Sequence, residues 1–260
     1  MDALVTLEDV AMAYGRGATA VRAIESVSLT IARGEFIAVV GPSGCGKSSL
    51  MKLISGLHPP AQGQLKVEGI PVTAPLKSVG MAFQNSNLLP WRTVLDNVLL
   101  PMEIVQPHRS RIRRERKLYC EKAQALLAKV GLADFSMKFP WQLSGGMQQR
   151  ASICRALIHE PEILMLDEPF GALDAFTREE LWCTLRDIQA DRKVTVMLVT
   201  HDLREAVFLA DTVYVMSHRP GRVVRRCAVG LARPRDLEVT FTPEFTDIAH
   251  ELRSLIGGRH

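Results

Sequence analysis

Three short segments carry residues whose types and spacing suit phosphate chemistry. The first is Gly41-Pro-Ser-Gly-Cys-Gly-Lys-Ser48, a GxxxxGKS loop. Glycines let backbone N–H groups approach phosphate oxygens where side chains would clash, and a following helix N-terminus adds partial positive charge. Lys47 has the reach for β- and γ-phosphates, and the Ser48 hydroxyl suits a Mg²⁺ ligand. Gly41, Pro42, Ser43, Gly44, Cys45, Gly46, Lys47, Ser48 and Ser49 are therefore candidate nucleotide contacts. Cys45 sits among backbone donors and reads as tolerated rather than catalytic, with bound nucleotide expected to shield it from thiol reagents. The second segment, Ile163-Leu-Met-Leu-Asp-Glu-Pro169, ends an apolar run in two acids. Asp167 fits the magnesium side and Glu168 fits a general base that polarises water. The third, Leu143-Ser-Gly-Gly-Met-Gln-Gln-Arg150, opens a helix at Ser144, Gly145 and Gly146, a second candidate anion site.

These residues need elements to hold them. Glu35–Val40 is an apolar run that leads into Gly41, as a strand buried on both faces would. Val27, Leu29 and Ile31 alternate with polar residues, the period of a half-buried strand. Lys47 to Leu57 is expected to be helical and Gln64 to Ile70 a strand. From Leu89 to Glu160 the spacing turns helical, with Tyr119, Ala123, Leu126, Leu127 and Val130 on one face and a second helix from Gly146 to His159. Strands are expected at Ile163–Leu166 and Val194–Thr200, around a helix with Leu181, Leu185 and Ile188 inward. That helix starts either at a Thr177/Glu180 capping box or at an Asp174 cap. A tail helix follows Thr242 and Pro243, buries Phe245, Ile248, Leu252 and Leu255, and ends at Gly257. Strands separated by helices argue for a largely parallel sheet interrupted by a helical insert.

The chain has 260 residues, 47% hydrophobic and 23% charged, with a formal charge of +4, which permits an acidic partner but compels none. Its five cysteines show no metal-ligand or CxxC spacing and read as reduced thiols. The start, MDALVTLEDV, is not expected to be a signal peptide. No apolar run of the length a bilayer requires occurs, so any membrane role would come through a partner.

The order GPSGCGKS, LSGGMQQR, ILMLDEP, TH resembles the ATP-binding subunit of an ABC transporter over about residues 1 to 230. The resemblance implies an α/β fold: a RecA-like P-loop ATPase core with an N-terminal antiparallel β strip and an inserted α-helical lid. It places core and strip at 1–87 and 161–230, the lid with its signature at 88–160, and a C-terminal extension at 231–260. It implies ATP and Mg²⁺ as cofactors and assigns further roles. Tyr14 would stack on adenine. Gln84 would sense the γ-phosphate and contact Mg²⁺ or the attacking water. Asp174 would cross a dimer interface, and His201 would contact the γ-phosphate. Magnesium contacts would thus come from Ser48, Gln84 and Asp167, and catalysis from Glu168, His201 and Gln84. Met147 stands where the family signature often has glutamine, a departure expected to matter little because Ser144 and the glycine N–H groups make the contacts.

The family geometry implies a homodimer, with each ATP held between one copy's Gly41–Ser48 and the other's Ser144–Gly146. It also implies two transmembrane permease subunits, with Leu88, Leu89, Pro90 and Trp91 either receiving a permease helix or packing within the lid. The segments NSNLLPW, His201–Ala210 and Ser217–Arg222 are similar to an import subgroup for nitrate, sulfonates and taurine. That subgroup implies a solute-binding protein, periplasmic or extracellular, and a place on the cytoplasmic face of the inner membrane. The basic stretch His108–Lys117 is either a lipid contact or the solvated face of the lid, and the tail helix either regulates the dimer or packs on its own core. An exporter ATPase is the nearest alternative. Nucleic-acid ABC ATPases carry paired cassettes or long insertions, which this sequence lacks.

Overall fold

The structure is a computed structural model that describes residues 2–257 apart from Arg16 and Ala172; Met1 and residues 258–260 lie outside the described set. The chain forms two compact units, Met1–Leu76 with Gln189–His260, and Lys77–Ile188.

In the first unit, β1 (Ala3–Tyr14) pairs antiparallel with β2 (Val21–Ala32) and with β4 (Gln62–Val67). Strand β4 in turn pairs with the short β5 (Ile70–Pro71). Val27, Leu29 and Ile31 of β2 are buried, as their alternation predicts. The expected strand from Gln64 to Ile70 is broken because Glu68 and Gly69 both take positive φ, 53° and 75°, which turns the chain into a hairpin. A second sheet contains β3 (Phe36–Val40), parallel to both β8 (Thr195–Val199) and β9 (Thr212–Met216); β10 (Val223–Ala228) adds antiparallel to β9. Every residue of β3 and β8 is buried, and apart from Thr195, whose hydroxyl accepts the Gly34 N–H at 2.9 Å, both strands are apolar, with no solvent face to supply.

Helix α1 (Lys47–Ile54) follows β3. It stops short of Leu57 because Gly56, at φ +73°, adopts the left-handed turn in which a side chain would strike the Ala74 carbonyl. After β8 comes α7 (Leu203–Leu209), and the chain ends in α8 (Pro243–Gly257). The Thr242 hydroxyl accepts the Phe245 N–H at 3.3 Å, as expected of the cap. Phe245 and Leu252 are buried, while Ile248 and Leu255 are half-buried.

In the second unit, β6 (Val79–Ala82) runs parallel to β7 (Ile163–Asp167). Between them lie α2 (Val94–Ile104), α3 (His108–Arg111), α4 (Arg116–Lys129) and α5 (Gly145–Leu157), and α6 (Ala175–Arg192) follows β7. Tyr119, Ala123, Leu126, Leu127 and Val130 are all buried, as their spacing predicts. Of the two starts open for α6, Asp174 is the cap: its carboxylate accepts the Thr177 N–H at 3.0 Å, and that bond holds its acidity on the strong side of the usual carboxylate. Among the described residues, no helix is long and apolar enough to cross a membrane.

Candidate functional site

The phosphate loop is shaped by the strand that feeds it. β3 delivers Gly41, the chain wraps through Pro42–Gly46, and α1 begins at Lys47. Gly46 is the N-cap of α1 at φ +109°, and a Cβ there would meet the Ala23 carbonyl at 2.8 Å. A residue with a side chain cannot occupy that turn. The cap accordingly contributes no side-chain hydrogen bond to the first turn of α1, so its N–H groups are not screened by a cap side chain. Lys47 is buried, and its ammonium donates to the Gly41 carbonyl at 2.9 Å and the Pro42 carbonyl at 3.0 Å. A lysine has three N–H donors, so one remains for a phosphate oxygen. Ser43, Gly44 and Ser48 are exposed, and Ser49 is buried. This set of glycine N–H groups, a buried ammonium and an exposed hydroxyl fits a triphosphate.

Cys45 is buried, and burial raises its thiol pKa even though Lys47 pulls the other way. That disfavours the thiolate, so Cys45 is no nucleophile and is shielded by the protein itself.

Tyr14 stands at the end of β1 beside this loop. Its hydroxyl shares a 3.1 Å hydrogen bond with Ser49, and the Lys52 ammonium lies 5.5 Å from the ring centroid. The His58 ring meets Tyr14 edge-on at 5.5 Å. Lys52 and His58 were not expected from the sequence; neither has a motif, and only the fold brings them to the tyrosine. His201 lies two residues beyond β8, exposed between Thr200 and the cap of α7.

In the second unit, β7 carries Asp167 at its last position and Glu168 immediately after it. Glu168 takes φ +46°, a left-handed conformation costly for a residue with a side chain, at the point where the strand leaves the sheet. Gln84, just beyond β6, donates from Nε2 to Glu168 Oε2 at 3.3 Å. The parallel β6/β7 register brings these two candidate catalytic groups together, although 84 positions separate them in sequence. Among the described residues no cluster of three or more His, Cys, Asp or Glu could hold a metal ion. A Mg²⁺ ion that takes most of its ligands from phosphates and water needs no such cluster.

Ser144 is the N-cap of α5, with its hydroxyl accepting the Met147 N–H at 3.3 Å. A Cβ on Gly146 would press on the Leu173 side chain at 2.5 Å, whereas one on Gly145 would meet nothing within 4 Å. Further along α5, Gln149 donates to the Phe83 carbonyl at 2.8 Å, and Arg155 donates to the Ser86 and Asn87 carbonyls at 2.6 and 2.8 Å. Asn97, fully buried, accepts the Leu89 N–H and donates to the carbonyls of Leu89, Arg92 and Thr93, which fixes the loop after Gln84. Leu88 and Leu89 are half-buried there, while Pro90 and Trp91 are exposed.

Comparison with known proteins agrees with this geometry. The sequence model of the ABC transporter family matches residues 24–171. The chain is 44% identical over 211 residues to the taurine import ATP-binding protein TauB of Yersinia pestis, covering 81% of this chain and 80% of that protein. It is 43% identical over 235 residues to the bicarbonate transport ATP-binding protein CmpD of Synechocystis, covering 90% and 82%. Among solved structures, the dimeric post-hydrolysis state of the ATP-binding cassette MJ0796 with ADP and Pi matches with a TM-score of 0.74 at 30% identity, over 88% of this chain and all of that one. The expected RecA-like α/β cassette fold is thereby borne out.

Proposed function

The chain belongs to the ABC transporter family as an ATP-hydrolysing cassette, and from that premise we propose that it powers uptake of a small anion. The anion is of the nitrate, sulfonate or taurine kind. Relatives named for taurine import and for bicarbonate transport support this reading, since both solutes carry a compact anionic group. The working unit is a homodimer with two permease subunits and a solute-binding protein, on the cytoplasmic face of the inner membrane.

In this reading each ATP lies between the Gly41–Ser48 loop of one copy and Ser144–Gly146 of the other. The observation that carries it is Gly145: it is exposed at the start of α5, and an added Cβ would meet nothing of its own chain within 4 Å, which leaves its N–H open to a phosphate held by a second copy. Tyr14 stacks on adenine, and Lys47 with the loop N–H groups holds the phosphates. Ser48, Asp167 and Gln84 would hold Mg²⁺, which would supply positive charge against the phosphates. Glu168 accepts a proton from water as its oxygen attacks the γ-phosphorus; the bond to the β–γ bridging oxygen breaks and ADP leaves. Gln84 orients that water, helped by its bond to Glu168, and His201 contacts the γ-phosphate. Asp174 borders the partner copy, and Leu88–Trp91 receives a permease helix.

The test is to co-purify the cassette with its membrane subunits and measure ATPase activity with the solute-binding protein. Small oxyanions should stimulate turnover. Stimulation by apolar or cationic solutes alone, or without any binding protein, would replace this reading with an exporter.

A further inference from the structure

A buried, heavily engaged cation lies outside every motif. Arg235 follows β10 in the Arg233-Pro-Arg235 stretch and is 2% exposed. Its Nη1 donates to the carbonyls of Val207 at 2.9 Å, Phe208 at 3.0 Å and Ala210 at 2.7 Å. Its Nη2 donates to the carbonyls of Val229 and Leu231, each at 3.3 Å. Arg233 supplies the remaining carbonyl, donating to Leu209 at 2.6 Å while its Nε holds the Asp211 carboxylate at 2.6 Å. Asp211 in turn accepts the Phe36 N–H at 2.9 Å, at the start of β3.

The acceptors share a location. A helix leaves its last carbonyls without intrahelical partners. In α7 the Ala206 carbonyl is taken by the Ala210 N–H, and the next four, Val207 to Ala210, are all taken by the two guanidinium groups. Positive charge at that end also suits the helix dipole. The other end is equally fixed. Asp202 caps α7 by accepting from the N–H groups of Arg204 and Glu205. The Thr200 hydroxyl donates to Glu205 at 2.5 Å and accepts the Asp202 N–H at 3.0 Å. His201 is the single residue between Thr200 and Asp202.

A seven-residue helix is too short to hold itself. It packs against β3 and α8, and the groups that bind its two ends add to that packing in setting its position. We propose that Arg235 is a positioning residue for hydrolysis: it fixes the C-terminal end of α7, and through that helix the placement of His201. The segment after β10 is then part of the catalytic frame rather than an appendage. Burial brings the Arg235 pKa down to about 10, which still leaves it charged at neutral pH. This proposal rests on His201 contacting the γ-phosphate.

The test is Arg235→Lys in the full chain. One ammonium with three donors cannot serve five carbonyls spread over two segments. ATP affinity should stay within twofold, kcat should fall at least tenfold, and the ¹³Cε1 resonance of His201, assigned by its loss in His201→Ala, should shift. Leu65→Ala in β4 lowers Tm away from α7 and should move neither kcat nor the resonance. If Arg235→Lys does not fold, Arg233→Ala, which removes one of the four carbonyl partners, should lower kcat about threefold with the same resonance shift. Turnover within twofold of wild type in a folded Arg235→Lys overturns the proposal. So does an unmoved His201 resonance, or an equal loss of kcat in Leu65→Ala. Normal turnover by His201→Ala removes the His201 role and this proposal together. Slow turnover by His201→Ala beside normal turnover by Arg235→Lys overturns this proposal alone.

Discussion

Gly145→Ala separates a residue's duty to its own fold from its duty to a ligand. Gly145 is the first residue of α5, and an added Cβ there has open space on all sides within its own chain. Replacing glycine by alanine where the backbone already suits alanine stabilises a protein by about 0.4–1 kcal/mol, because the unfolded chain has fewer states to lose. In a chain of this size that raises Tm by roughly 1–4 °C. If the Gly145 N–H must meet the γ-phosphate of a nucleotide held by a second copy, the same methyl group blocks the approach. Losing one such preorganised donor costs about 3–4 kcal/mol in the transition state, or roughly 100- to 1000-fold in kcat. Expected, then, is a variant that melts higher, binds ATP as a monomer as well as wild type, and scarcely turns over. Thermal melting, equilibrium nucleotide binding and phosphate release at saturating MgATP read the three quantities. Gly146→Ala is a poorer probe, since its Cβ meets Leu173 at 2.5 Å and some of its loss would be internal packing. A Gly145→Ala protein with a raised Tm and turnover within twofold of wild type would refute the shared-site reasoning.

Glu168→Gln should bind ATP, dimerise and hydrolyse about 10²- to 10⁴-fold more slowly, the range for losing a general base; unchanged phosphate release removes Glu168 as that base. Ser144→Arg should lose the α5 cap, at about 1 kcal/mol, and keep ATP binding, yet give no measurable hydrolysis; normal turnover in the purified variant contradicts the shared site. Alkylation of Cys45 should be slow at neutral pH, because burial raises its pKa above 9.0 and leaves less thiolate than an ordinary thiol, and should accelerate as pH rises through and beyond that value. Bound ATP should slow it further, and peptide mapping that finds Cys45 labelled faster than half-buried Cys120 at pH 7 counts against the burial. Asn97→Ala should cost about 2–4 kcal/mol in urea unfolding, since it strands the Leu89 N–H and three carbonyls inside the second unit; a loss under 1 kcal/mol would mean that water replaces the amide.

What the sequence made legible was chemistry that must be done by the backbone. Gly46 stands out because its φ of +109° and the nearby Ala23 carbonyl exclude a Cβ, and Gly145 because it is a glycine that its own chain leaves open space around; both demands are visible in residue type. The buried strands were legible too, as β3 is wholly apolar and Thr195 is the one polar residue of β8. Boundaries set by a local φ were not. The Glu68–Gly69 turn lacks the Asn-Gly or Asp-Gly pair that marks such hairpins, so one strand was expected where two occur. Residues that serve distant carbonyls were invisible. Arg235 reaches acceptors up to 28 positions away, and nothing in Arg-Pro-Arg distinguishes it from a surface cation. Lys52 and His58 are equally silent until the fold brings them to Tyr14.

The arrangement of α5 connects two features that the motifs present as separate. The helix begins at Ser144, the candidate contact to a partner's nucleotide. Its side chains at Gln148, Gln149 and Arg155 hold Ser86, the Phe83 carbonyl and the Ser86 and Asn87 carbonyls. Those residues flank Gln84, whose amide touches Glu168. About ten residues of helix, some 15 Å long, thus join the signature to the backbone that carries the candidate γ-phosphate sensor. A packed helix moves as a body rather than bending by fractions. In the proposed reading, a permease helix that displaced the exposed Trp91 loop would displace Ser144 with it, and the second unit would respond as one body. That gives a physical reason for Gln149 and Arg155 to be an amide and a guanidinium: their donors reach the Phe83, Ser86 and Asn87 carbonyls, which shorter or apolar side chains would leave unpaired.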